Sequence, residues 1–279
     1  FKTKRGEKSV LASAARIIAK SLRPLPDAWY GLEDVEIRLR ERYLDLLMRP
    51  ASREIFQKKR LFWETVRGYM KNAGFLEVET PVLELVPGGA EAEPFQTHHK
   101  ALDTDFYLRI SLELPLKKLL VGGYEKVFEI GRIFRNEGID REHLQDYTQM
   151  ECYLAYADYG DMMAIMQDMY KTIVKELFGS YETKISGRKI KWNGAWPKVD
   201  YYGVFKKESG LDLAEVSRDD LYKKAIVLGL APEKSVGRGR LIDIIFKKTV
   251  RPKLVAPCFL VNPPVDIEPL AKRLSDDPR

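Results

Sequence analysis

Two stretches decide the fold: Lys126-Val127-Phe128-Glu129-Ile130-Gly131-Arg132-Ile133-Phe134-Arg135-Asn136 and, after a charged loop, Tyr147-Thr148-Gln149-Met150-Glu151-Cys152-Tyr153-Leu154-Ala155-Tyr156. Side chains two residues apart share one face of a strand. In the second stretch Tyr147, Gln149, Glu151, Tyr153 and Ala155 fall on one side, and Met150, Cys152, Leu154 and Tyr156 on the other. In the first, Glu129, Gly131, Ile133 and Arg135 lie opposite Phe128, Ile130 and Phe134. Each strand therefore has a core face and a polar face, and Gly131 removes a side chain where a flat ligand could approach the sheet. The connecting loop 136–146 is long for a hairpin and dense in charge (Glu137, Asp140, Arg141, Glu142, His143, Asp146), which makes it a candidate functional loop.

Working outward, a further strand is expected over 106–111. The three strands follow one another through short connections without a convincing crossover helix, so the sheet is expected to be antiparallel and the fold class α+β, with helices flanking the sheet. A helix is predicted over 52–72, where Ile55, Phe62, Val66, Tyr69 and Met70 keep returning to one face and Gly74 supplies a left-handed stop. An earlier helix is predicted over 33–48, with Leu39, Tyr43, Leu46 and Leu47 on one side, and a strand over 75–80 ended by Pro81. Downstream, a helix over 161–177 is followed by a mixed stretch, a helix over 240–248 and a strand over 254–261. The first 22 residues read as the last strand or two of a small β domain. Arg23-Pro24-Leu25-Pro26-Asp27 is a stiff connector, because each proline fixes its own φ and pushes its predecessor out of the helical region. A domain boundary is expected there.

The 279 residues are 45% apolar, enough for a core without disulfides or metal, and this excludes disorder and collagen-like structure. A net charge of +6 with 32% charged residues allows an acidic polymer as partner without demonstrating one. The longest nearly unbroken apolar run, 254–261, is far below the ~18 residues a membrane span needs, so a soluble protein is expected. Two cysteines, Cys152 and Cys258, and three histidines, His98, His99 and His143, lie at no zinc-binding spacing. A reducing cytoplasm is expected, with no metal ligands among these residues and with His98 and His99 structural. The chain opens on Phe1 and lacks a signal-peptide core, and it reads as a piece of something longer.

Taken singly, Arg135 and Glu137 would be a solvated pair at a strand end, and Glu151 a residue on the wet side of a sheet. Their joint occurrence says more. Phe134-Arg135-Asn136-Glu137-Gly138, then His143, then Tyr147-Thr148 and Glu151, resembles motif 2 of the class II aminoacyl-tRNA synthetases. Gly74-Phe75-Leu76-Glu77-Val78-Glu79-Thr80-Pro81 after a long helix resembles their motif 1. Pro87-Gly88-Gly89-Ala90, Thr97-His98-His99, Leu108-Arg109-Ile110, Glu113-Leu114, Val121-Gly122-Gly123, Arg42-Tyr43-Leu44-Asp45-Leu46 and Pro269-Leu270-Ala271-Lys272 are similar to lysyl-tRNA synthetases in particular, and together these strings cover essentially the whole chain.

The resemblance implies lysine-tRNA ligase activity: ATP-dependent conversion of lysine to lysyl-adenylate, then transfer to the 3′ end of its tRNA. It implies that Arg135 is the catalytic arginine on the α-phosphate, that Glu137 meets the adenine amino group, that His143 approaches the outer phosphates and that Tyr147 stacks on the adenine. It assigns lysine binding to Gly89, Glu113, Glu151 and Tyr153; two acids and a hydroxyl would select a cationic side chain. It further implies ATP and Mg2+ as cofactors, the metal's ligands being expected in a further C-terminal part. A homodimer through the motif 1 helix and strand is also implied. In these terms 1–22 is the tail of an anticodon-binding OB domain, 23–33 a linker and 34–279 a class II catalytic domain truncated before motif 3. This piece alone is expected to be inactive. The alternatives are a non-catalytic paralogue serving as a regulatory or RNA-binding module and a related synthetase for another amino acid. The family's His-Asn-Pro-Glu-Phe-Thr reads His143-Leu144-Gln145-Asp146-Tyr147-Thr148 here, without the loop proline.

Overall fold

The computed structural model describes residues 1–25, 32–138 and 143–274. The chain forms two compact units, Phe1–Arg60 and Leu61–Arg279. Pro26 and Asp27 of the expected connector, and Asp140, Arg141 and Glu142 of the loop, lie outside the described residues.

In the first unit, residues 1–25 carry a single antiparallel bridge, Lys2 to Lys8, around a turn at Gly6 (φ 84°). The strand or two expected here reduces to this bridge, since a pairing this narrow has no sheet face to bury. Helix α1 (Val35–Arg40) starts on Asp34, whose carboxylate accepts from the Glu36 and Ile37 amides. The helix expected over 33–48 is interrupted at Glu41 (φ −98°, ψ 52°) and resumes as α2 (Arg42–Met48). The break lets two arginines reach one buried carboxylate: Arg38 Nε lies 2.8 Å from Asp45 Oδ1 and Arg42 Nη1 2.8 Å from Oδ2. Helix α3 (Pro50–Asn72) follows, with proline at its first position, where no amide donor is needed.

Chiefly the Arg38 hydrogen bond, with Ser52 and Arg42 adding to it, draws the Asp45 carboxyl from its ordinary 3.8 down to about 2. A carboxylate depressed on folding stabilises the fold at pH above its unfolded value and loses that contribution as pH falls through the folded one. Asp45→Asn is therefore expected to lower the thermal unfolding temperature at pH 5, and to differ from the parent much less near pH 2. An equal deficit at both pH values would contradict the assignment.

In the second unit, α3 ends where Gly74 (φ 83°) turns the chain and the Phe75 amide returns to Met70 O at 3.0 Å. Strands β1 (Leu76–Glu77) and β2 (Leu83–Glu84) follow, then β3 (Gln96–His99) and β4 (Thr104–Leu108), helix α4 (Glu113–Val121), and strands β5 (Lys126–Phe134) and β6 (Asp146–Leu154). Helix α5 (Tyr159–Phe178) opens on a capping box between Asp158 and Asp161 and stops at the left-handed Gly179. Next come β7 (Glu182–Ile185), β8 (Arg188–Lys191), β9 (Lys198–Asp200), α6 (Tyr201–Ser209), α7 (Arg218–Val227), α8 (Arg238–Thr249) and β10 (Phe259–Val261). Among the described residues no helix is long and apolar enough to cross a membrane.

The two decisive stretches pair antiparallel as β5 and β6, from Lys126 opposite Leu154 to Phe134 opposite Asp146. Their apolar face, Phe128, Ile130, Met150, Cys152 and Leu154, packs on Val66 and Met70 of α3 and on Met169 and Ile173 of α5. Each large apolar side chain fully buried here contributes roughly 1.5–3 kcal/mol, and this is what holds the platform against its two helices.

The platform is antiparallel as expected, with the two-residue β1 added parallel to β5 at its edge in the order β1-β5-β6. Two expectations need correcting. The strand expected over 106–111 is β4, which pairs with β2 and β3 in a sheet of its own. A helix does intervene before β5: α4 accommodates Pro115 in its first turn, where a proline breaks no helical hydrogen bond. The mixed stretch after α5 contains a separate helical core, in which Phe205, Leu221, Leu241, Ile242 and Ile245 are fully buried.

Candidate active site

The polar face of β5 and β6 places Glu129 directly opposite Glu151, Gly131 opposite Gln149, and Ile133 opposite Tyr147. Like charges directly opposite one another destabilise a sheet. The two carboxylates are resolved in different ways, and the difference defines the site.

Glu129, 2% exposed, is neutralised by Arg109, whose Nη1 lies 2.7 Å from Oε1. The other oxygen accepts from the Thr80 hydroxyl at 2.6 Å and the Thr80 amide at 3.1 Å. Arg109 also donates to Thr80 O and, through Nε, to Arg132 O at 2.8 Å. Sequence reasoning passed over this pair, and it misread Gly131. The flat group above Gly131 is the chain's own guanidinium: an added Cβ would meet Arg109 Nη2 at 2.2 Å.

Glu151 meets neutral donors instead. Its Oε1 accepts from Ser111 Oγ at 3.0 Å, the Leu112 amide at 3.0 Å and Gln149 Nε2 at 2.5 Å, and its Oε2 from Tyr153 OH at 3.1 Å. None of these four donors carries a charge, and the side chain sits on a partly buried face. Burial, then the Glu151 charge and hydrogen bond, and then Glu113 raise the Tyr153 hydroxyl above its ordinary value, so it stays protonated and can donate. On the opposite face burial pushes the Cys152 thiol up to about 11, leaving it an unreactive core residue at neutral pH.

Glu113 is the first residue of α4, and its carboxylate pairs with Lys117 Nζ at 2.7 Å. The same ammonium lies 5.9 Å from the centre of the Tyr153 ring. Gly89 has φ 84°, and a Cβ there would meet Glu113 Cβ at 2.9 Å and Ser111 Oγ at 3.0 Å. Only glycine fits so close to α4 in this conformation. Arg135 continues the strand pairing through its amide to Gln145 O, donates from Nε to Ile110 O at 3.3 Å, and lies 5.7 Å over the Tyr147 ring.

Residues 110–113 thus touch the surroundings of nearly every candidate. Ile110 meets Arg135, Ser111 and Leu112 hold Glu151, Glu113 is itself a candidate, and Gly89 abuts both Ser111 and Glu113. Arg135 and Tyr147 lie towards one end of the platform, Glu151 and Tyr153 towards the other, with Tyr147 and Glu151 separated by roughly 13 Å at the usual strand rise. Glu137 and His143 flank the loop that joins β5 to β6. Both are exposed on either side of the segment outside the described residues, and Glu137 contributes a carbonyl that accepts from Gln145 Nε2. Ser111, Gln149 and Lys117 take part in the cluster and were missed. The signal for Gln149 was its place in the alternation beside Glu151; Ser111 gave none.

A face with a cationic end and an anionic end can hold a molecule that carries an anion and a cation at similar spacing. No three or more His, Cys, Asp or Glu side chains are grouped to hold a metal ion among the described residues.

A family profile described as tRNA synthetases class II (D, K and N) matches residues 34–279. The lysine–tRNA ligase of Pelotomaculum thermopropionicum is 44% identical over 281 residues, covering 100% of this chain and 56% of that protein. That of Moorella thermoacetica is 45% identical over 279 residues, with 100% and 57% covered, and that of Staphylococcus aureus 43% identical over 280 residues, again with 100% and 57%. The chain spans a little over half the length of the curated relatives it matches.

Proposed function

We propose, since this chain belongs to the class II tRNA synthetases (D, K and N), that it carries the lysine and adenylate part of a lysine–tRNA ligase. Each of the relatives described above bears that name, and the observation that carries the reading is the segment 110–113, which links Arg135 to Glu113 and Glu151. The lysine carboxylate oxygen attacks the α-phosphorus of ATP, the bond to the bridging oxygen breaks and pyrophosphate leaves. A ribose hydroxyl of the tRNA end then attacks the lysyl carbonyl and AMP leaves. Charge accumulates on the α-phosphate oxygens, and Arg135 neutralises it there without rearranging. Tyr147 offers its ring face to the adenine, Glu137 and His143 take the adenine amino group and the outer phosphates, and Gly89 lets the backbone lie against the amino acid. Glu151, Glu113 and the Tyr153 hydroxyl receive the lysine ammonium. Magnesium would accompany ATP and help to neutralise the charge on its phosphates.

A homodimer and a cytoplasmic location belong to the same reading. The β1 edge is supported for pairing by a groove of about 930 Å³ lined by Arg67, Lys71, Glu77 and Val78, and exposed Leu76 lies beside it. Free thiols such as Cys152 and Cys258 persist in a reducing compartment. The test is ATP–pyrophosphate exchange by the full-length protein with each of the standard amino acids in turn. Lysine alone is expected to support it strongly, and exchange with aspartate or asparagine in preference to lysine would refute the assignment.

A further inference from the structure

We infer that Ser111 is a positioning residue that sets the two lysine-receiving carboxylates relative to each other and so governs lysine affinity; this rests on the lysine reading above. Ser111 is 3% exposed. Its single hydroxyl proton goes to Glu151 Oε1 at 3.0 Å, while its oxygen accepts the Glu113 amide at 3.1 Å. One atom therefore ties Glu151, on β6, to Glu113, at the start of α4. The helix depends on this contact. Its N-cap residue, Leu112, supplies no side-chain acceptor, so the Ser111 oxygen takes one of the amides that a helix start leaves without a partner.

The consequence for the substrate follows from counting lone pairs. A carboxylate offers about four acceptor sites, two on each oxygen. Three donors share Glu151 Oε1, one more than its two lone pairs, whereas Oε2 accepts from Tyr153 OH alone among the described residues and keeps a site to spare. The side chain is thereby held with Oε1 turned towards the chain and Oε2 turned towards a ligand. The Leu112 amide and Gln149 also hold Oε1, but in the hydrogen bonds described above neither reaches Glu113. Gly89 lies beside Ser111, since a Cβ added there would come within 3.0 Å of the hydroxyl. Loss of the hydroxyl is not made good by rotation of a neighbour: it leaves Glu151 freer to turn and frays the turn that carries Glu113.

The test uses the full-length protein and lysine-dependent pyrophosphate exchange, with Ser111→Ala and Ser111→Cys. Cysteine fills the space with a weak donor, so it keeps the packing while removing the strong hydrogen bond. Both variants are expected to raise the lysine KM about tenfold, the scale of one charge-assisted hydrogen bond, with the ATP KM and kcat within about twofold of the parent. If alanine impairs folding, the cysteine variant carries the same expectation. A lysine KM unchanged in a folded variant, or one that rises only in step with the ATP KM, overturns the positioning role. A parent that shows no exchange with lysine overturns the lysine reading itself, and this inference with it.

Discussion

Arg135→Ala in the full-length protein is expected to lower lysine-dependent pyrophosphate exchange by about 10³-fold, the loss seen when a preorganised charge is withdrawn from a phosphoryl-type transition state. The size follows from how the residue is held. Its amide extends the β5–β6 pairing to Gln145, its Nε is fixed on Ile110 O, and its guanidinium lies over Tyr147. A charge fixed in this way needs no reorganisation as the reaction proceeds. Arg135→Lys is expected to recover little, because a compact ammonium on a flexible stem cannot both bond Ile110 and lie flat on the ring. The unfolding temperature should stay close to that of the parent, since Arg135 is only partly buried. A loss below about tenfold would be no larger than removal of an ordinary surface charge, and it would contradict the catalytic role.

The second large effect is expected on stability. Replacing either member of the Arg109–Glu129 pair leaves the other charged and uncompensated in the interior, a cost of about 3–5 kcal/mol. That is a large part of the 5–15 kcal/mol by which a domain is ordinarily stable. Arg109→Met and Glu129→Gln, measured by urea unfolding of the full-length protein, are therefore expected to move the transition strongly to lower denaturant. Arg109→Met combined with Glu129→Gln should lose less than the two single effects added together, since no charge is then stranded. A single variant within 1 kcal/mol of the parent would show that the pair is not the neutralising device its geometry describes.

What the sequence made legible was governed by how one-sided each element is. The platform strands separate cleanly, with Phe128, Ile130, Met150, Cys152 and Leu154 against the helices and Gln149, Glu151 and Tyr153 on the other face, because period-two patterning survives wherever a sheet buries one side. Helices α3 and α5 are marked by their apolar periodicity, and α3 also by Gly74 at its end. The parallel β1 is too short to leave a pattern. The break at Glu41 leaves no mark in the periodicity, because the contact that accompanies it, Arg38 and Arg42 on the buried Asp45, joins charged residues on two separate helices. Arg109 and Glu129 are 20 residues apart and carry no mark that they meet. Arg135, Glu113 and Glu151 are singled out as candidates only by the joint occurrence of motif strings, whereas Ser111, which ties two of them together, looks locally like any buried serine before a helix.

The most direct measurement is a crystal structure of the full-length protein bound to a non-hydrolysable lysyl-adenylate analogue. The expected result has the lysine ammonium within hydrogen-bond distance of Glu151 Oε2 and the Tyr153 hydroxyl, with the phosphate surrogate on the Arg135 guanidinium. An analogue bound elsewhere, or bound with its ammonium in solvent and away from residues 110–113, would contradict the account.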